Sequence, residues 1–265
     1  MPPTPDRPIL IRAYPVPLDS NDPARRHVGL LEFLGGWSLT SKEPAFGGLS
    51  GATMAKDEIL AVSDSGSLIR IGLSNGTPSG HGHILPLPPG CGDGSFKRDR
   101  DAEAITGEPG TTRWWVSLER RNAICRLDTI RKTGAEVFPP EIRKWPEPTG
   151  GEALLRMPDG RFLMWSESRL GPENSFSLLR FDRDPTLPDV RVEKMGWRAP
   201  EGYRPVEAAR LPDGRVIVLH RRFTVLGWFK SAITIFDPEA LSPGRIVEGA
   251  EIARLSGSLI RDNFE

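Results

Sequence analysis

The chain has 265 residues, 38% hydrophobic and 8% aromatic, enough to bury the core of one sizeable domain. Lys plus Arg and Asp plus Glu number 35 each, so no basic excess points to nucleic acid or an anionic membrane surface. No apolar run approaches the roughly 20 residues of a spanning helix, and the N-terminus lacks the basic-then-apolar pattern of a signal peptide.

In chain order, residues 1–26 read as a leader, polyproline-like over the first eight. Residues 28–34 and 36–39 then read as a strand pair able to partner the blade at the other terminus. From there one order of signals recurs. An acidic motif opens each unit: Asp101-Ala102-Glu103-Ala104, Gly151-Glu152-Ala153-Leu154, Val206-Glu207-Ala208-Ala209 and, at the C-terminus, Asp262-Asn263-Phe264-Glu265. An earlier copy, Gly47-Gly48-Leu49-Ser50-Gly51, lacks the carboxylate. The glutamates at 103, 152, 207 and 265 are spaced by 49, 55 and 58 residues. Repeats of roughly 40–50 residues with strand composition mark a β-propeller, one blade per repeat.

Inside each unit the motif leads to a turn: Lys56-Asp57, Pro109-Gly110, Pro158-Asp159-Gly160 or Pro212-Asp213-Gly214. Pro fixes one turn dihedral and Gly frees another, which is hairpin chemistry. Apolar runs follow at 59–62, 114–116, 162–165 and 216–219, then third strands at 68–71, 123–128, 178–182 and 233–237. No helical period is sustained, so the fold is all-β, with the propeller domain spanning residues 27–265. Four full units, an N-terminal partial and a C-terminal stub are visible. The chain is therefore expected to stop inside a further blade, with open edges that favour aggregation.

The innermost strand of each blade opens the unit, so Glu103, Glu152, Glu207 and Glu265 are expected at one height in the channel. Two readings stay open: hard oxygen ligands for an axial Ca²⁺ or Mg²⁺, or latches accepting backbone N–H groups between blades. A second row, Asp64, Glu119, Glu167 and Arg221, follows the second strand and should gather at one mouth. Asp64, Glu119 and Glu167 are the candidate catalytic acids. Arg120, Arg221 and Arg222 are candidates for binding a small ester or phosphate, because the planar guanidinium fork matches that anion. The bland alternative is a set of surface ion pairs.

Other signatures are missing. Gly48-Leu49-Ser50-Gly51-Ala52 fails the Gly-x-Ser-x-Gly elbow, and no phosphate loop or zinc helix occurs. His81-Gly82-His83 reads as a solvated loop. Cys91 lies in a Gly/Pro loop and Cys125 in an expected strand. Two free thiols are expected, with a disulfide the alternative in an exported protein.

Several stretches together carry a family resemblance. They are Phe46-Gly47-Gly48-Leu49-Ser50-Gly51 leading to Val62-Ser63-Asp64-Ser65-Gly66, and Arg98-Asp99-Arg100-Asp101-Ala102-Glu103 leading to Ser117-Leu118-Glu119-Arg120. Gly150-Gly151-Glu152-Ala153-Leu154 with its Pro-Asp-Gly-Arg turn, Leu211-Pro212-Asp213-Gly214-Arg215 before Arg221-Arg222-Phe223, and Asp262-Asn263-Phe264-Glu265 complete the set. Over roughly 27–265 the chain resembles the phytase-like family, known by the description "esterase-like activity of phytase". The resemblance implies a bacterial, periplasmic or extracellular propeller of six blades in full, hydrolysing esters or phosphoesters. In that family the Asp-Asn-Phe-Glu stretch is followed by Gly and a further strand, absent here, and His220 stands where an acid or amide is common.

Three functions remain: a metal-dependent ester or phosphoester hydrolase, a ligand- or partner-binding propeller without chemistry, and a gluconolactonase-like lactonase. Monodisperse, cooperatively melting protein made from this chain would overturn the open-edge expectation.

Overall fold

The computed structural model describes residues 4–264 apart from 94, 95, 109, 226 and 227. Glu265, Pro109 of the second expected turn and the first three residues of the expected leader lie outside the described residues.

The N-terminal segment carries β1 (Arg7–Pro15), β2 (His27–Val28), β3 (Leu31–Glu32) and β4 (Trp37–Ser41). The first meandering sheet is β5 (Leu49–Ala55), β6 (Glu58–Ser63), β7 (Ser67–Ser74) and β8 (Thr77–Pro86). The second is β9 (Ala102–Gly107), β10 (Arg113–Leu118), β11 (Ala123–Asp128) and β12 (Thr133–Val137). The third is β13 (Gly151–Arg156), β14 (Phe162–Ser166), β15 (Phe176–Phe181) and β16 (Val192–Arg198). The fourth holds β17 (Arg204–Arg210), β18 (Val216–Thr224) and β19 (Trp228–Phe236), with β20 (Ile246–Glu248) and β21 (Ala250–Leu255) after it. β21 completes the fourth sheet beside β19, while β20 crosses back to pair in parallel with β16. The inner strands β5, β9, β13 and β17 pack side by side in that order. The sheets are thus four blades of an all-β, propeller-like arrangement, one for each full unit expected from the repeat. Among the described residues no helix is long and apolar enough to cross a membrane.

Local chemistry explains the hairpins. In both Pro-Asp-Gly turns the Asp side chain accepts the N–H of the following Arg at 3.0 Å, Asp159 from Arg161 and Asp213 from Arg215. The flanking backbone closes identically, Met157 N–H to Arg161 O and Leu211 N–H to Arg215 O, each 2.8 Å. The second and third strands carry the apolar runs, and their alternate side chains fill the seams between blades. Leu60, Val62 and Leu68 of the first blade meet Ile105, Trp114 and Val116 of the second. Trp165 packs edge-to-face on Trp197 at 6.0 Å and on Phe236 at 6.3 Å, joining the third blade to the fourth. The same seam buries His220, whose Nε2 accepts the Trp197 indole N–H at 3.0 Å. Burial pushes that imidazole down to about 4, so it stays neutral near pH 7 and faces a seam.

The N-terminal segment does more than precede the domain. β1 pairs with β8 and with β4, so part of the 1–26 stretch belongs to the first blade's sheet. The expected 28–34 and 36–39 pair does not form as such: β2 pairs with β3, and β4 with β1. Between these strands the chain crosses to the fourth blade. There Ile260 N–H donates to Leu18 O and Leu30 N–H to Ile252 O, both 2.7 Å, and Leu18 and Val28 pack on Ala253 and Leu259. One segment therefore ties the first blade to the fourth.

The expectation of two free thiols is corrected. Cys91 and Cys125 form a disulfide, with Cα atoms 5.6 Å apart. The loop carrying Cys91 lies against the outer edge of the second blade, where Gly134 N–H donates to Pro89 O. The two cysteines are 34 residues apart in sequence, and closing a loop of that length is worth about 3.8 kcal/mol in chain-entropy terms. Reduction should lower the free energy of unfolding by that order, read as an earlier denaturant midpoint with and without reductant. C91S/C125S should match the reduced protein.

Candidate active site at the mouth of the blades

A bulge at the start of each inner strand builds the site. The ladders between first and second strands skip one residue in every blade: Ser50, Glu103, Glu152 and Val206. Such a bulge bends the strand and re-aims its side chain. In three blades the residue after the second strand closes it by donating its N–H across the gap. Asp64 bonds Gly48 O at 3.0 Å, Glu119 bonds Asp101 O at 2.9 Å and Glu167 bonds Gly150 O at 3.2 Å. The sequence row Asp64, Glu119, Glu167 is therefore a structurally equivalent set.

The two acidic rows do not stay separate. Carboxylate oxygens of Asp101, Glu103 and Glu119 lie within 4.8 Å of one another, and so do those of Glu119, Glu152 and Glu167. Glu119 belongs to both triads. Glu103 and Glu152 from the inner row thus meet Glu119 and Glu167 from the outer row. Asp101, the first residue of its motif, joins them although sequence reasoning passed it over.

Glu207 is in neither triad. The register explains this. Pro158 lies six positions after Glu152, but Pro212 only five after Glu207. Val206 therefore takes the bulge, and Glu207 pairs opposite Leu219 as Ala153 pairs opposite Trp165. A one-residue slip turns a side chain to the other face. Glu207 Oε1 accepts the N–H of Ala208 at 2.7 Å. Asp64 also stays outside the triads, bonded to Lys97 Nζ at 2.6 Å.

Arginines rim the acids. Arg120 Nε bonds Asp101 at 2.7 Å, and Glu167 receives Arg204 at 2.7 Å and Arg221 at 3.2 Å. Arg221 also donates to Asn263 at 2.6 Å. Arg222 lies over Gly202, its guanidinium carbon 3.1 Å from where a methyl would stand. Lys97 and Arg204 had no signal beyond being polar, because their role appears only when loops from different blades converge; Asn263 lies in the closing Asp262-Asn263-Phe264-Glu265 motif, which was read for its glutamate.

Burial and crowding set the protonation. Burial first, then the charges of Asp101 and Glu167, pushes Glu119 up to about 7. Burial followed by Glu167, Glu103 and Glu119 raises Glu152 well above the carboxylate range. Carboxylate oxygens of Glu152 and Glu119 lie within 4.8 Å of each other, and like charges so crowded favour retaining a proton. An all-oxygen set holding protons for want of positive charge fits a hard divalent cation.

A profile of the family described as "Phytase-like: Esterase-like activity of phytase" matches residues 44–265. No curated protein matches the chain. Among solved structures it is similar to hydrazine synthase of Kuenenia stuttgartiensis, with 17% identity, TM-score 0.46, and 78% of this chain against 49% of that one. It is similar to the N-terminal domain of Nup159, with 11% identity, TM-score 0.40, and 82% against 51%. A protein described as a candidate gluconolactonase shares 12% identity and TM-score 0.47, with 96% covered against 82%. The chain spans about half the length of the first two. At these identities and scores the likenesses say nothing about activity.

The raised carboxyl of Glu119 has a pH signature. Unfolded it titrates near the ordinary 4.5 and folded near 7, so the folded state holds the extra proton between those values. The stability from that proton is present below about 4.5 and is lost as pH rises through about 7. In chelator, the Tm difference between wild type and Glu119→Gln should move against the wild type across that window. A constant difference from pH 4.5 to 8 would contradict the assignment.

Proposed function

The chain belongs to the phytase-like family, and on that premise we propose that it is a hydrolase of phosphate or carboxylic esters that depends on a divalent cation. The observation that carries the reading is the pair of carboxylate triads sharing Glu119. Glu119, Glu152 and Glu167 would hold the cation, with Asp101 and Glu103 as the adjoining set. Ca²⁺ suits flexible, carboxylate-rich oxygen sites, and Mg²⁺ is the alternative. A cation bound there polarises a phosphoryl or acyl oxygen and lowers the pKa of a bound water.

The remaining chemistry rests on the chain's own groups. In the metal-free site Glu119 titrates near 7, so it would release its proton as a cation binds at neutral pH. Arg120, Arg204 and Arg221 hold Asp101 and Glu167 in place through their ion pairs. Arg222, whose guanidinium lies over Gly202, is a further candidate for contacting an anionic substrate. The seams around the site are packed with apolar side chains, so charges there act through a medium that screens them less than water. The Cys91–Cys125 disulfide supports a periplasmic or extracellular setting, where such bonds persist.

The test is a thermal melt after chelation, followed by Ca²⁺ or Mg²⁺ addition. A metal bound only by the folded form adds about 2.7 kcal/mol at one hundred times its dissociation constant. Ca²⁺ should raise Tm in the wild type and fail to do so in Glu152→Gln. That variant should itself melt higher than wild type in chelator, having lost a crowded acid. Turnover of phosphomonoesters or carboxylic esters should fall at least a hundredfold (about 2.7 kcal/mol) in Glu152→Gln. No metal shift and no turnover would leave a ligand-binding propeller. Opening of sugar lactones with phosphomonoesters spared would make it a lactonase.

A further inference from the structure

Resting on the phosphoester branch of that reading and narrowing it, we propose that Arg100 is the residue that recognises the phosphoryl oxyanion at the mouth. Sequence reasoning favoured Arg120, Arg221 and Arg222. Two of these are already committed: Arg120 to Asp101, and Arg221 to Glu167 and Asn263. Arg100 is not. Its side chain makes no hydrogen bond or ion pair among the described residues, and its Nε is buried without an acceptor. A buried N–H donor with nothing to bond is costly. A fold that keeps one at a site rim has a reason outside its own packing.

The surroundings are shaped around this side chain. A methyl on Gly66 would stand 2.5 Å from Arg100 Cβ and 3.2 Å from its Cδ. One on Gly92 would stand 3.2 Å from its Cα and Cγ. Two glycines from separate loops therefore make the slot that Arg100 occupies. Gly66 is the last residue of Ser63-Asp64-Ser65-Gly66, so part of that motif is explained by the arginine it admits. Hydroxyls flank the slot: Ser63 and Ser65 are bonded at 2.8 Å, and Ser67 N–H donates to Ser63 Oγ at 3.1 Å.

The local charge balance points the same way. Asp64 is neutralised by Lys97 and Asp101 by Arg120. Asp99 turns its carboxylate onto the N–H of Phe96 at 3.1 Å. Arg100 makes no ion pair among the described residues and stands one residue from Asp101 of the first triad. A guanidinium fork presents parallel donors spaced for two oxygens of a tetrahedral oxyanion, which a neutral lactone or carboxylic ester does not offer. The ligand class is inorganic phosphate or the phosphoryl group of a monoester.

The experiment uses the full chain in chelator, with inorganic phosphate as the probe and Tm as the readout. Arg100→Met, Arg100→Lys and Arg98→Met are compared with wild type, Arg98 being a neighbour that lies over the Phe96 ring. Phosphate should raise the Tm of wild type and of Arg98→Met at the same concentrations. Arg100→Met should need about ten- to a hundredfold more phosphate, the weight of a charge-assisted hydrogen-bond pair, with Arg100→Lys between. Without phosphate, Arg100→Met should melt at or above wild type, because it removes a half-buried arginine whose Nε has no acceptor. A phosphomonoester should compete with phosphate at the same site if the substrate is the natural source; competition by phosphate analogues alone would make free phosphate the ligand. Equal phosphate response in Arg100→Met, no response in wild type, or a metal-free Arg100→Met that melts several degrees lower would each overturn the proposal. Because no cation is present, the result stands or falls separately from calcium binding and turnover.

Discussion

Inner strands that converge on one axis leave no space for large side chains between them, and the mouth is a consequence of that crowding. A methyl on Gly51 would stand 2.6 Å from Glu103 O of the next blade. The equivalent positions in the second and third blades, Ala104 and Ala153, are fully buried. With small residues required on the seam, the long side chains of these segments sit at the adjoining bulge. Two of the four bulge residues are glutamates, so the geometry of blade packing itself gathers carboxylates.

That gathering is costly, and the fold offsets it unevenly. Asp101 and Glu167 receive arginine partners, while Glu152, almost wholly buried, keeps its proton instead. Desolvation and like-charge repulsion act in the same direction there. Sites where local rules are broken against a well-ordered background are where function is expected.

The background is well ordered because the seams away from the mouth are satisfied. Asp184, from the loop after β15, accepts Trp115 Nε1 at 2.7 Å and Arg126 at 2.8 Å, fastening the third blade to the second. The Trp197–His220 bond does the same for the third and fourth. Aromatic burial of this kind supplies roughly 1.5–3 kcal/mol per large side chain. These seams make the mouth rigid enough to hold unfavourable charges close together.

The repeat, the hairpin turns, the first three strands of each blade and the equivalence of Asp64, Glu119 and Glu167 were legible from local signals, because turn chemistry and apolar runs are local. The register of Glu207 was legible too, by counting back from Pro212; similarity of the short motif obscured it. The outer strands β8, β12 and β21 left a faint trace, since they are half-exposed and carry little apolar pattern. The merging of two acidic rows into triads around Glu119 needed the second and third blades to meet. The pairing of Cys91 with Cys125, the N-terminal tie to the fourth blade, and the slot between Gly66 and Gly92 depended on tertiary contacts in the same way. Each of these joins residues distant in sequence, and no local signal encodes which distant loops will meet at an axis.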